Sequence, residues 1–86
     1  MSPAEDRREA ERLQLLDRLA RRAREIPCVI SPAPEAWTAE EIPTQRVAAA
    51  ACSPCPLKVA CRAYGLAWPD EAGVYGGLTE RERKSR

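Results

Sequence analysis

The chain has no histidine and no phenylalanine, and its 86 residues include only 2 tryptophans, 2 tyrosines and 4 glycines. Without histidine, the commonest general base and the nitrogen ligand of many zinc sites are missing. The 14 basic and 13 acidic residues nearly balance, so the net charge of +1 gives no global attraction to nucleic acid or to a membrane. With no phosphate loop and no recognisable pair of carboxylates, we expect no enzymatic activity and no small-molecule substrate.

No apolar run approaches the length that crosses a bilayer, and residues 1–14 are too charged for a signal peptide. We therefore expect a cytoplasmic protein without membrane association. Because the cytosol keeps thiols reduced, its four cysteines are expected to bind metal rather than to form disulfides. A domain this small gains only about 3–5 kcal/mol from its core, so the metal is also expected to stabilise the fold.

Helix signals dominate the chain and predict an all-α fold. Ser2 and Glu5 have capping-box spacing around Pro3. Apolar residues then recur at helical spacing as far as Ile26, and Pro27 ends the pattern. These signals predict an amphipathic first helix that packs on the core.

Three more helices are expected after a proline-rich loop at 29–43. Thr44 is predicted to cap the second, the third runs from 57 to 68 with Cys61 facing inward, and Thr79 starts the fourth with capping-box spacing. We expect one domain in three parts: an N-terminal helix at 1–26, a core with a glycine-rich turn at 27–78, and a short charged helix at 79–86.

The cysteines are unevenly spaced: Cys52, Cys55 and Cys61 form a C-x2-C-x5-C cluster, and Cys28 stands alone far upstream. Four thiolates can complete a tetrahedral zinc site or hold one iron–sulfur cluster. Zinc ribbons normally use two similar C-x2-C pairs, whereas three crowded sulfurs and a remote one favour a cluster in which each sulfur binds its own iron. Spacing alone leaves zinc open, and also a dithiol role for Cys52 and Cys55, although a thioredoxin-like site needs a preceding strand.

Beyond the cysteines, the chain continues with Gly73-Val74-Tyr75-Gly76-Gly77 and then Leu78-Thr79-Glu80-Arg81-Glu82-Arg83. The combination resembles the WhiB-like proteins of actinobacteria and their phages, in which four cysteines precede a G-[VI]-W-G-G turn and an L-[ST]-x-R-E-R stretch. The resemblance covers residues 27–83. It implies a small four-helix domain wrapped around a [4Fe-4S] cluster, with the glycine-rich turn before the last helix. The implied cluster ligands are Cys28, Cys52, Cys55 and Cys61.

The resemblance also implies a transcription regulator that docks on region 4 of the primary sigma factor of RNA polymerase. The cluster would lie near that interface and react with oxygen or nitric oxide. In this chain Tyr75 stands where the family usually has tryptophan, so it keeps an aromatic face with less contact area. The residues implied in partner binding are Trp37, Gly73, Val74, Tyr75, Gly76 and Gly77, and Trp37, Tyr64 and Trp68 are the expected walls of the cluster site.

The sequence shows no long basic tail of the kind that some members insert into DNA. The candidates for phosphate contacts are Arg81, Arg83, Lys84 and Arg86, which stand beside Glu80 and Glu82. Since each phosphate contact contributes little at cellular salt, independent DNA binding is expected to be weak.

Overall fold

The computed structural model describes residues 2–85, and every regular element in this range is helical apart from one isolated bridge between Tyr75 and Leu78. Two 3₁₀ turns, Ala23–Glu25 and Pro34–Thr38, connect the first three helices. The expected all-α class is confirmed, although the described residues form one helix more than the four expected. The helices are α1 Pro3–Arg21, α2 Pro27–Ile30, α3 Ile42–Ala51, α4 Lys58–Ala67 and α5 Glu80–Lys84.

The first helix begins as predicted and ends earlier than predicted. The Ser2 hydroxyl accepts from the Glu5 N–H at 3.2 Å, and the Glu5 carboxylate accepts from the Ser2 N–H at 3.4 Å. The helix ends at Arg21 instead of Ile26. Proline disfavours the helical conformation of the residue before it, and Ile26 before Pro27 is accordingly extended, with φ −98° and ψ 112°. That extended residue turns the chain inward, and Ile26 becomes fully buried.

The proline-rich stretch holds more structure than the expected loop. Pro27 begins the single turn of α2, and α3 begins at Ile42, before the expected start. The prediction that Thr44 caps this helix is wrong, because Glu41 holds the N-cap position and makes no side-chain capping bond. Pro43 is tolerated in the first helical turn, where a backbone N–H would have no intrahelical partner.

The last helix is fixed at its start by two sets of contacts. The predicted capping box of Thr79 and Glu82 is present, with donor–acceptor distances of 3.0 and 3.2 Å. From α3, the buried side chain of Gln45 accepts from the Glu80 N–H at 3.1 Å and donates to the Ala39 carbonyl at 2.8 Å. Gln45 thereby satisfies an otherwise orphaned N–H at the start of α5 and ties α3 to α5.

Trp68, just past α4, attaches α1 to the rest of the domain. Its Nε1–H donates to the Glu11 carboxylate at 2.6 Å, and the guanidinium groups of Arg7 and Arg8 lie 5.1 and 4.7 Å from its ring centroid. Arg8 also pairs with Asp70. The expected role of Trp68 as a wall of the cluster site is wrong, because this side chain binds the N-terminal helix.

Within residues 2–85, no helix is both long and apolar enough to span a bilayer.

Arg83 of α5 is only 1% exposed, and its guanidinium binds backbone carbonyls from two directions. It donates to the Gly65 and Trp68 carbonyls at the end of α4, at 3.1 and 3.4 Å, and to the Glu71 carbonyl and the Gly73 carbonyl, the latter at 2.8 Å. Arg83 therefore joins the last helix, the end of α4 and the segment that enters the glycine turn.

Replacing Arg83 with methionine should lower the free energy of unfolding by about 3 kcal/mol or more, because several buried carbonyls would lose a charged donor at once. Urea unfolding followed by circular dichroism measures the change. Arg81→Met is the matched control, since Arg81 is exposed on the same helix and its loss should change stability by less than about 0.5 kcal/mol. Similar losses in the two variants would show that the buried contacts of Arg83 contribute little.

Candidate metal centre

All four cysteines line one cavity, although they come from separate parts of the chain. Cys28 lies in α2, Cys52 caps the C-terminus of α3, Cys55 lies in the turn that follows, and Cys61 lies in α4. Cys52 is 8% exposed and the other three are half-buried. The structure thus places on one cavity the four cysteines that the sequence predicts as ligands.

Successive turns of backbone place the C-x2-C pair at the cavity. The Cys55 N–H donates to the Cys52 carbonyl at 3.0 Å, and the Lys58 N–H then donates to the Cys55 carbonyl at 3.2 Å. Pro56 is the second residue of the Cys55–Lys58 turn, where its fixed φ favours a turn. Cys61 follows on the face of α4 that also carries buried Tyr64, so the predicted inward direction of Cys61 is confirmed.

Two N–H groups approach the sulfurs from the walls of the cavity. Trp37 Nε1–H donates to Cys52 Sγ at 3.3 Å, and the backbone N–H of Gly76 lies near the sulfur of Cys61. Trp37 is therefore a wall of the site, as expected. Tyr64 lies outside the immediate lining and borders a neighbouring groove that Cys28 and Cys61 also line.

The surroundings of Cys28 and Cys61 disfavour the ionised form of these two thiols. Burial raises the pKa of Cys61 to about 12; the Gly76 N–H opposes this shift, and the other cysteines add to it. Burial also raises the pKa of Cys28, to which the charges of Cys52 and Cys55 contribute. At neutral pH such thiols stay protonated unless a cation replaces the protons, so metal binding should release protons and weaken as the pH falls.

The donor set fits a thiolate-bound metal centre. None of the four cysteines forms a disulfide, and no carboxylate lines the cavity in the described residues. An all-sulfur set selects zinc, copper(I) or iron–sulfur clusters. Among residues 2–85, no three Cys, Asp or Glu side chains gather closely enough around one point to hold a metal ion. The cavity of about 40 Å³ has room for a few water molecules.

The glycine-rich segment forms a tight turn against this cavity. Tyr75 and Leu78 exchange two backbone hydrogen bonds of 3.0 Å, and the two residues between them, Gly76 and Gly77, have φ of +57° and +81°. Positive φ at both central positions is the requirement of a type I′ turn, which favours glycine. The turn lies so close to α4 that a Cβ on Gly76 would come within 2.5 Å of the Arg62 Cα. The turn is therefore fixed beside Cys61.

Gly73 and Val74 connect the same segment to the tryptophan wall. The Val74 N–H donates to the Trp37 carbonyl at 2.7 Å, and a Cβ on Gly73, whose φ is +104°, would lie 2.6 Å from that carbonyl oxygen. Val74 is buried and lines the cysteine cavity. Two stretches that the sequence associates with partner binding are thus joined to each other and to the site.

Tyr75, the expected docking aromatic, is half-buried within the domain. Its ring lies 5.6 Å from that of Tyr64, and the Arg83 guanidinium lies 4.8 Å from its centroid. On α4, a Cβ on Gly65 would come within 2.5 Å of the Tyr75 Cβ, so glycine at this position gives the ring its space. One part of Tyr75 supports the fold, and the exposed remainder faces outward.

The C-terminal cations do not form one exposed set. The expectation that Arg83 contacts phosphate is wrong, because its guanidinium is buried and bound to backbone carbonyls. Arg81 and Lys84 are exposed, and Lys84 Nζ lies 3.9 Å from the Glu80 carboxylate. Arg86 lies outside the described residues.

Sequence reasoning missed three residues that hold the site together, namely Gln45, Gly65 and Arg83. A lone glycine in a predicted helix indicates a close contact, and this signal was present at Gly65. The amphipathic pattern of a helix as short as α5 gives too few turns to show that Arg83 faces inward. No comparable signal singles out Gln45.

Comparison with known proteins adds independent information about this chain. A family model described as Transcription factor WhiB matches residues 20–85. The transcriptional regulator WhiB2 of Mycolicibacterium smegmatis is 41% identical over 51 residues, which cover 59% of this chain and 40% of that protein. WhiB2 of Mycobacterium tuberculosis is 39% identical over 51 residues, covering 59% of this chain and 57% of that protein. WhiB of Streptomyces coelicolor is 37% identical over 51 residues, covering 59% of each.

The chain therefore spans about half the length of the curated relatives it matches. No solved structure gives a significant match.

Proposed function

The chain belongs to the WhiB family of transcription factors, and we propose that it regulates transcription through a [4Fe-4S] cluster held by Cys28, Cys52, Cys55 and Cys61. The partner in this proposal is region 4 of the primary sigma factor of RNA polymerase. The observation that carries the proposal is the convergence of all four cysteines on a single cavity. The curated relatives are named transcriptional regulators, which favours a regulatory protein over an enzyme.

The uneven spacing of the cysteines along the chain favours a cluster over a single zinc ion. Zinc requires all of its sulfur ligands at about 2.3 Å from one point. An iron–sulfur cluster gives each thiolate its own iron and therefore accepts sulfurs spread around a larger centre. In the described residues the four cysteines line one cavity whose other walls are largely apolar. When bound, the cluster would supply electron-transfer chemistry and a reaction site for oxygen or nitric oxide.

The contacts of the glycine turn connect the metal centre to the proposed docking surface, so a change at the centre can alter that surface. The Gly76 N–H lies beside the sulfur of Cys61, Val74 lines the cavity, and Trp37 makes hydrogen bonds to both Cys52 and Val74. Loss of the metal centre would therefore disturb the residues from 73 to 77, where Tyr75 presents its exposed part. We propose this segment, together with Trp37, as the sigma-binding surface, which the intact centre keeps in place.

Anaerobic co-expression with region 4 of a primary sigma factor tests the proposal. We expect the two chains to purify together, with iron and acid-labile sulfide in the complex. Chelation under anaerobic conditions should then reduce both the helicity and the affinity for region 4. A complex that contains zinc without sulfide would replace the cluster with a structural zinc ion, and equal binding before and after chelation would refute the coupling.

The same proposal makes DNA binding a secondary property. Of the four candidate cations, the structure leaves Arg81 and Lys84 exposed and buries Arg83. Since affinity for DNA grows with the number of phosphates neutralised, two exposed cations near Glu80 provide little binding without the polymerase. Promoter contacts are therefore proposed to arise only in the sigma-bound complex, in the cytoplasm.

A further inference from the structure

Lys58 is the one side chain with a permanent charge among those that line the cysteine cavity in the described residues. It is the first residue of α4 and lies between Cys55 and Cys61 in the sequence. Its Cε lies 3.2 Å from the position that a Cβ on Gly77 would take. Lys58 therefore lies beside both the cysteine cavity and the glycine turn.

The neighbouring cations are engaged elsewhere. Arg22 is within electrostatic range of Cys55, but its guanidinium makes two hydrogen bonds to the Glu25 carboxylate, at 2.8 and 2.9 Å. Arg62 donates from Nε to the Gly76 carbonyl at 3.0 Å and does not line the cavity. Lys58 has no ion pair among the described residues. Its charge is therefore not cancelled by a carboxylate partner.

The net charge of a metal-loaded centre explains why a cation at the position of Lys58 matters. Four thiolates carry more negative charge than a divalent ion or a cubic iron–sulfur core carries positive charge, so the loaded centre is a net anion. A nearby cation stabilises such a centre most when the surroundings are apolar and screening is weak. Lysine at the rim can lay its aliphatic stem along the apolar wall and keep its ammonium group hydrated.

We infer that Lys58 is the counter-charge of the thiolate centre, a positioning residue that sets its reduction potential and its retention of metal. This inference rests on the proposed function only in so far as the cysteines hold a metal centre. Adding an electron increases the negative charge of the centre, so the Lys58 cation favours the reduced form. The Lys58 side chain thereby tunes this chain's response to oxidants without acting as a ligand.

The test compares Lys58→Met with Lys58→Arg and with Lys84→Met, in the full chain reconstituted anaerobically. Lys84 is the other lysine of the chain; it lies on α5 and lines no part of the cavity, so its replacement is a matched control. We expect the midpoint potential of Lys58→Met to shift to more negative values and its metal to be lost to a chelator severalfold faster. Lys58→Arg and Lys84→Met should both behave as the wild type.

The possible outcomes separate this inference from the proposed function. Equal potentials and equal rates of metal loss in Lys58→Met and the wild type would overturn the role of Lys58, even with full iron and sulfide content. If the wild type holds zinc, the proposed cluster is wrong, but the rate of zinc loss to the chelator still decides whether Lys58 stabilises the thiolates. A potential shifted equally by Lys84→Met would show a general charge effect and would also overturn the inference.

Discussion

Cys28→Ser is expected to abolish stable metal loading and to leave the chain poorly helical. Cys28 is the sole ligand from α2, and the remaining three sulfurs come from residues 52–61. Removing a residue that only hydrogen-bonds to a metal ligand already lowers the affinity for the metal by about 10–100-fold. Removing a ligand itself should therefore lower the affinity for the metal by more than about 100-fold. Because metal binding to such a small domain is coupled to folding, the order of the N-terminal half should fall with it.

Metal analysis and circular dichroism of the anaerobically purified variant measure both effects. Ser31→Ala is the matched control, since Ser31 follows α2 directly and does not line the cavity. The control should keep the metal content and the helicity of the wild type. Full colour and full iron content in Cys28→Ser would mean that the centre does not depend on the remote cysteine, and the four-ligand proposal would fail.

Gly76→Ala should have the second largest effect, a loss of about 3–5 kcal/mol in the free energy of unfolding. The φ of +57° at Gly76 strains any residue with a Cβ, at about 1–2 kcal/mol. A Cβ would in addition come within 2.5 Å of the Arg62 Cα, and helix backbone cannot move aside as a flexible side chain can. The predicted loss is comparable to the whole stability that a core of this size supplies.

The Gly77→Ala variant separates the cost of positive φ from the cost of close packing against α4. Gly77 also has positive φ, but the nearest atom to its added Cβ is the flexible Lys58 Cε, at 3.2 Å. This control should lose only the conformational part, about 1–2 kcal/mol. Denaturant unfolding of the metal-loaded proteins measures the difference. Equal losses in the two variants would show that close packing of the turn against α4 is unimportant.

The sequence was most informative where chemistry is concentrated in few residues. The spacing of the cysteines predicted that four sulfurs share one centre, and the structure places all four on one cavity. The capping boxes at Ser2 and Thr79 were also predictable, because a capping box is a local pattern within four residues. The family resemblance predicted the glycine turn, whose positive φ values explain why glycine stands at its centre.

The tertiary partners of isolated polar side chains could not be predicted in this way. Nothing local to Trp68 indicates that it binds Glu11 and the guanidinium groups of α1, since the partners are far apart in sequence. The same holds for Arg83, which the charge pattern of α5 placed among solvated residues and the structure places in the interior. Prediction failed at both positions because contacts between residues far apart in the sequence produce no periodic pattern of apolar and polar residues.

The interior position of Arg83 changes how a deletion series should be interpreted. Removing the residues after Leu78 would delete a short charged helix, and a resulting loss of promoter or polymerase association would point to nucleic-acid contacts by this helix. The deletion would also remove the guanidinium that holds the Glu71 and Gly73 carbonyls, so the loop before Tyr75 would lose its support. Point substitutions at Arg81 and Lys84 remove the exposed cations and leave Arg83 in place. They therefore distinguish a loss of contacts with nucleic acid from a loss of structural support, which a truncation cannot do.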